Sequence, residues 1–142
     1  MDYRYGSHTV YKIEYHFVWV TKYRYKVLRG DVGHRVRELV RQTCEGFEIR
    51  ILKGVVSQDH VHILVSAPPG LAPSEIMRRI KGRSSSKLFE EFPTLKKRYW
   101  GRHFWARGYF CATVGEMTEE MIKEYLEHHF EPKPAPDFRV EP

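Results

Sequence analysis

The sequence predicts a single α+β domain, and three observations predict it. Strand-like stretches at 10–20, 47–56, 55–66 and 109–114 are interspersed with helix-like stretches at 31–45, 73–91 and 118–129. No internal repeat or low-complexity linker divides the chain. Its 142 residues suffice for one core and no more than one domain of ordinary size.

Residues 10–20 alternate: Tyr11, Ile13, Tyr15, Phe17 and Trp19 share one face, and Lys12, Glu14, His16 and Val18 share the other. This reads as a first, central strand. Residues 21–30 interleave Lys22, Arg24, Lys26 and Arg29 with Tyr23 and Tyr25. Basic groups meet phosphates and aromatic faces stack bases, so this stretch reads as a nucleic-acid contact, slightly ahead of a solvated loop with two aromatics tucked under it. Residues 31–45 predict a helix with Asp31 as N-cap, an apolar stripe of Val32, Val36, Leu39, Val40 and Thr43, and Gly46 as the stop just beyond it. Residues 47–56 predict a second strand. A turn near Ser57–Asp59 joins it to the next strand as a hairpin.

The stretch 55–66, Val-Val-Ser-Gln-Asp-His-Val-His-Ile-Leu-Val-Ser, is rich in Val and Ile and reads as a strand. Strand side chains alternate, so Val61, Ile63 and Val65 share one face and His60, His62 and Leu64 the other. Two imidazoles two residues apart, about 7 Å at the Cα level, can bind one metal ion together. The apolar face is expected on the core, leaving the His face free for chemistry. The same pattern also fits two polar residues on a half-solvated face. His16 can approach this pair, although a strand histidine facing solvent is the commoner arrangement.

After the Pro68-Pro69 loop, Pro73 suits the first turn of a second helix running to about Glu91, with Ile76, Ile80, Leu88 and Phe89 as its apolar stripe. Gly82 and Ser84-Ser85-Ser86 weaken it. Its other face carries Arg78, Arg79, Lys81, Arg83 and Lys87, with no acid from Ile76 to Lys87. That run reads either as a phosphate-binding face or as an ordinary solvated one. Residues 99–110 are dense in aromatic and basic residues and lead into a strand over 109–114. Thr118 is a candidate N-cap of a last helix, with Glu119 and Glu120 in its first turn. Met121, Tyr125 and His129 lie along one face of it. An aromatic at helical spacing is commonly core, and His128 and His129 also suit a plain polar helix end. The tail after Phe130 is Pro-rich and reads as unstructured.

The formal net charge of +6 and the 14% of aromatic residues favour a polyanionic partner, nucleic acid above simple acidic substrates. No apolar run approaches the roughly 18 residues of a membrane span, and the N-terminus lacks the apolar centre of a signal peptide. Cys44 and Cys111 form no metal-type pair and read as free thiols in a reducing cytoplasm.

Taken together, these stretches resemble the HUH single-tyrosine transposases of the insertion-sequence 200/605 family, from about Tyr11 to Phe130. The matching pieces are Trp-Val-Thr-Lys-Tyr-Arg (19–24) with Val27-Leu28, Asp-His-Val-His-Ile-Leu-Val (59–65), Trp-Gly-x-x-x-Trp (100–105) and Tyr-Leu-Glu (125–127). The resemblance implies a ferredoxin-like, RRM-like antiparallel sheet with helices on one face and a C-terminal helix carrying the tyrosine. It implies one domain over 1–131, followed by a Pro-rich tail over 132–142. His60 and His62 are then the metal-binding pair, and Tyr125 the nucleophile. Where the family commonly carries Gln one turn after the tyrosine, this chain has His129. A third nitrogen ligand favours Mn²⁺, Zn²⁺ or another transition metal over Mg²⁺.

The activity so implied is metal-assisted cleavage and rejoining of single-stranded, hairpin-bearing DNA ends through a 5′-phosphotyrosine. A divalent ion, Mg²⁺ or Mn²⁺, and no organic cofactor would be required. The expected partners are single-stranded DNA with hairpins and a second copy of the chain sharing composite sites, with no membrane. DNA contacts are expected at Lys22, Arg24, Arg78, Arg79, Arg83 and Lys87. Gly115 is read either as a hinge that lets the tyrosine helix move or as a turn glycine. Three other readings stay open: a domesticated relative acting on host palindromes, a non-catalytic hairpin-binding module, and a metal-dependent nuclease using water.

Overall fold

The structure is a computed structural model that describes residues 3–100, 102–113 and 138–142. Its elements are β1 (Arg4–Tyr5), β2 (Val10–Tyr11), β3 (Glu14–Val20), α1 (Gly30–Gly46), β4 (Arg50–Val56), β5 (His60–Ser66), α2 (Pro73–Glu91), α3 (Pro93–Arg98), β6 (Phe110–Thr113) and β7 (Arg139–Val140), with a 3-10 turn at Lys22–Arg24. The succession β3-α1-β4-β5-α2-β6 and the sheet order β6-β3-β5-β4-β7 give the ferredoxin-like arrangement. β3 pairs antiparallel with β5 and β6, and β4 antiparallel with β5.

One face of the sheet carries the helices. Phe17 and Trp19 of β3 and Val61, Ile63 and Val65 of β5 bury there against Val36, Leu39 and Val40 of α1 and Ile76, Met77 and Ile80 of α2. The alternation read for β3 and β5 is therefore the alternation observed. The first strand is shorter than 10–20: Val10 and Tyr11 pair instead with Tyr5 and Arg4 in a small separate hairpin. Arg4 tethers that hairpin by donating to the Ser66 and Glu48 carbonyls at 3.1 and 2.9 Å.

The end signals of α1 need correction. Arg29 is the N-cap, and Asp31 lies inside the first turn, where its charge meets the helix dipole. Gly46 is the last helical residue, and the left-handed backbone that ends the helix falls on Glu48 at φ 58°. In α2 the Ser run does not break the helix, because Ser84 is spent on packing: it is buried and accepts from the Trp105 indole at 2.9 Å.

The Pro-rich end is also not wholly irregular. β7 adds to β4 in parallel, pairing Val55 with Arg139 and Val56 with Val140. Gly54 and Gly33 make room for it: a Cβ on Gly54 would stand 2.6 Å from the Phe138 ring, and one on Gly33 2.7 Å from Val140. Arg37 donates to the Phe138 carbonyl at 2.9 Å, and Ser57 to the Glu141 carboxylate at 2.5 Å. These anchors need residues 84 or more positions away, which no local pattern in the tail reveals.

Candidate nucleic-acid-processing site

His60 opens β5, opposite Val20 of β3, and His62 stands two residues on, between Val18 of β3 and Val55 of β4. Both leave the sheet on the face away from the helices, as strand alternation requires. That face is not open in the manner expected from the sequence. His60 and Val18 are wholly buried, and Val20 forms a small second cluster with Val18, against which Ala106 and Phe110 pack. His62 is only half-buried.

His16 joins the pair. It sits opposite Leu64, diagonal to His62, and its Nδ1 lies 3.1 Å from His62 Nε2 with the rings stacked at 26°. The sequence reading that favoured a solvent-facing His16 is therefore corrected. Diagonal neighbours on one sheet face lie within reach of long or aromatic side chains, and only the β3–β5 register shows which residues are diagonal. On the same face of β3, Glu14 is buried.

The electrostatics suit a ligand pair. Burial, then the neighbouring His16 and His60, push His62 down to about 4, so its ring is neutral and keeps a lone pair at pH 7. Burial and Lys53 lower His16 as well. The Asp59 carboxylate lies 3.3 Å from His60 Nδ1, and Asp59 is itself buried. A carboxylate on Nδ1 selects the Nδ1–H tautomer and leaves Nε2 with the lone pair that could ligate a metal, the arrangement commonly found behind metal-bound histidines. Asp59 is fixed in turn: its carbonyl accepts from Thr21 N at 2.9 Å, and Arg24 Nε stands 4.0 Å from its carboxylate.

His60 and His62 therefore fit two positions of a divalent-metal site. An ion held by His62 Nε2 would have to take the place of His16 at that atom. Among the described residues no group of three or more His, Cys, Asp or Glu side chains is arranged to hold a metal. Tyr125, His128, His129 and Gly115 lie outside the described residues.

The expected DNA contacts divide. Arg78 and Arg79 both reach Glu75, at 2.5 and 2.7 Å. The run of cations is thus not without an acid: Glu75 lies just before it, at the i,i+3 and i,i+4 spacing of one helix face. Arg79 also stacks over Phe47 at 4.2 Å, and Arg83 donates to the Gln42 side chain at 3.1 Å. Lys87 is half-buried on the same helix. Lys22 lies where β3 leaves the sheet, and its backbone N–H donates to the Phe104 carbonyl at 2.8 Å.

This chain is similar to known proteins in sequence and fold. A family model described as "Transposase IS200 like" matches residues 9–129. The transposase for insertion sequence element IS200 of Salmonella typhimurium is 38% identical over 125 residues, covering 88% of this chain and 82% of that protein. The ISDra2 transposase TnpA of Deinococcus radiodurans is 35% identical over 122 residues, covering 86% of this chain and 87% of its own length. A crystal structure of a Deinococcus radiodurans protein described as a transposase superposes with a TM-score of 0.81 at 32% identity, over 91% of this chain and 99% of that one. A REP-associated tyrosine transposase bound to a REP hairpin shares the fold at a TM-score of 0.56 and 16% identity, over 88% of this chain and 67% of that one.

Proposed function

The chain belongs to the IS200-like transposase family, enzymes that cut and transfer DNA strands, and from that premise we propose that it cleaves and rejoins single-stranded, hairpin-bearing DNA ends through a tyrosine. What carries the reading is that the family match over 9–129 encloses both the His60/His62 pair and Tyr125. The hairpin held by the more distant REP-associated structure is in keeping with it.

In this mechanism Tyr125 Oη attacks the scissile phosphorus in line. A P–O bond forms to the phenol and the bond to the 3′ oxygen breaks. The phenol proton leaves and the 3′ oxygen ends as a hydroxyl, giving a 5′-phosphotyrosine. The exchange keeps one phosphodiester-type bond throughout, so a 3′-OH can reverse it and join new strands without ATP or an organic cofactor. His60 and His62, with His129 as third ligand, would hold a divalent ion. Bound there, it would supply Lewis-acid polarisation of the phosphate and offset the developing charge. Asp59 keeps the His60 ring oriented, and burial keeps His62 neutral for that task. Phosphate contacts fall first on Lys22, with Arg24 beside Asp59 contributing less. Arg78, Arg79, Arg83 and Lys87 add long-range attraction from α2. The active unit is a homodimer in which one chain offers His60 and His62 and its partner the tyrosine.

The test is incubation with hairpin-bearing single strands and Mg²⁺ or Mn²⁺, followed by a denaturing gel. A covalent protein–DNA adduct is expected, lost in Tyr125→Phe and in His60→Ala/His62→Ala. Mixing those two inactive variants restores adduct on the chain that retains Tyr125. Cleavage that survives Tyr125→Phe without adduct would establish a water-using nuclease instead. Binding with no cleavage in either metal would establish a hairpin-binding module.

A further inference from the structure

Two clefts of about 340 and 420 Å³ adjoin beside the exit of β3, sharing Lys22 and His103 as walls. The first is lined further by Lys81 and Arg107, and the second by Tyr23, Trp100 and Arg102. Among the described residues no Asp or Glu lines either one. The contrast with α2 is direct, since Arg78 and Arg79 there are already bound to Glu75.

The aromatic members are unusual. Trp100 is 87% exposed and Tyr23 69% exposed. Both hold a left-handed backbone, at φ 58° and φ 59°. Bulky residues rarely adopt that conformation, and such outliers gather where a side chain must be aimed. Here two of them put large apolar rings into water on one cleft. The surroundings hold them there. Thr21 Oγ1 donates to the Tyr25 carbonyl at 2.8 Å, and the Lys22–Phe104 backbone bond ties the two walls together. Tyr23, Tyr25, Tyr99 and Phe104 form a run of ring contacts, 5.3–5.4 Å between centroids, that leads from the surface into the core. Lys81 Nζ is spent on the carbonyls of Ala106 and Gly108, at 2.8 and 2.6 Å, and so shapes the loop that carries Arg107.

We propose that these adjoining clefts form one groove for unpaired nucleotides, with Tyr23 and Trp100 stacking bases and Lys22, Arg102 and Arg107 meeting phosphates. The proposal rests on the reading of the protein as one that acts on single-stranded DNA, and names where that strand lies. An unpaired strand is the occupant the chemistry selects: bases present flat apolar faces and the backbone carries the charge that the cations lack. A duplex hides its base faces and leaves the two rings nothing to stack on. Lys22, a wall of both clefts, is two residues past Val20, the cross-strand partner of His60.

The experiment uses the full chain without divalent metal, so that cleavage is silent. The probes are a mixed-sequence single strand of about twelve nucleotides, within the site sizes usual for such grooves, and the duplex of the same sequence. Trp100→Ala and Tyr23→Ala are each expected to weaken single-strand binding roughly 5- to 150-fold, the span of one lost base stack, and to leave duplex binding unchanged. Trp100→Gly and Tyr23→Gly relieve the left-handed backbone and should lose as much, which assigns the loss to the ring. Lys22→Ala and Arg102→Ala should each lower the salt slope by about 0.7. Unchanged single-strand affinity in the ring variants, equal losses on duplex, or no single-strand binding by the wild type would each overturn the proposal. None of these readouts uses the adduct. A protein that binds through the groove but forms no adduct keeps the groove and loses the tyrosine reading, and the converse result removes the groove alone.

Discussion

Removing the Ser84 hydroxyl should destabilise the domain, and the amount follows from one hydrogen bond. Ser84 Oγ donates its single hydrogen to the Ile80 carbonyl at 2.6 Å and accepts from Trp105 Nε1 at 2.9 Å. Ser84 and Trp105 are 1% and 6% exposed, so water cannot replace the oxygen. Ser84→Ala leaves the indole N–H buried and unsatisfied, a cost of about 1–3 kcal/mol. Alanine returns at most about 0.7 kcal/mol as the better helix former. A net loss of roughly 0.3–3 kcal/mol should appear in urea unfolding at unchanged slope. In a Trp105→Phe background the donor is gone, and the same Ser84→Ala change should be neutral or slightly stabilising. The double-mutant cycle cancels the cavity that Phe leaves and isolates the bond. Ser84→Ala as stable as the wild type, or losses that simply add, would refute the reasoning. The consequence reaches the groove, because Trp105 anchors the loop on which His103 and Arg107 stand: it bridges to Thr21 and packs against Phe104 at 4.7 Å.

Gly54→Ala should cost about 1–3 kcal/mol by overpacking, since its Cβ would meet the Phe138 ring at 2.6 Å. Phe138→Ala should absorb most of that penalty, which melting the single and double variants will show. In the folded protein one thiol per chain should react with an alkylating reagent. Cys111 is exposed, whereas Cys44 is buried and pushed up to about 12, so mass spectrometry should find Cys44 modified only after unfolding.

Residues that obey a short period were legible in the sequence. Phe17, Trp19, Val61, Ile63 and Val65 follow the strand period of two, and their buried face was readable for that reason. His60 and His62 were found by the same rule. What escaped depends on the register between elements distant in the chain. His16 meets His62 only because β3 and β5 pair with Val18 opposite His62. β7 is two residues long and has no period to read; its place is set by the space over Gly54 and Gly33. On α2 the partner of Arg78 and Arg79 is Glu75, which lies one position before the acid-free stretch from Ile76 to Lys87. Ser84 looked like a weak helix residue because its partner Trp105 is 21 residues further on.

A charged side chain already neutralised by a neighbour must give up that contact before it can bind a phosphate, so its net gain is small. Arg78 and Arg79 are in that position on Glu75, and Arg35 likewise on Glu91 at 2.6 Å. Counting basic residues along α2 therefore overstates its claim to the DNA. Lys22 differs in kind. Its ammonium lies 5.4 Å over the Tyr23 ring, a contact that a stacked base and its phosphate extend without first breaking an ion pair among the described residues. The segment best matched to a strand is thus the turn that follows β3, and the turn's place beside Asp59 and His60 joins binding to the proposed chemistry.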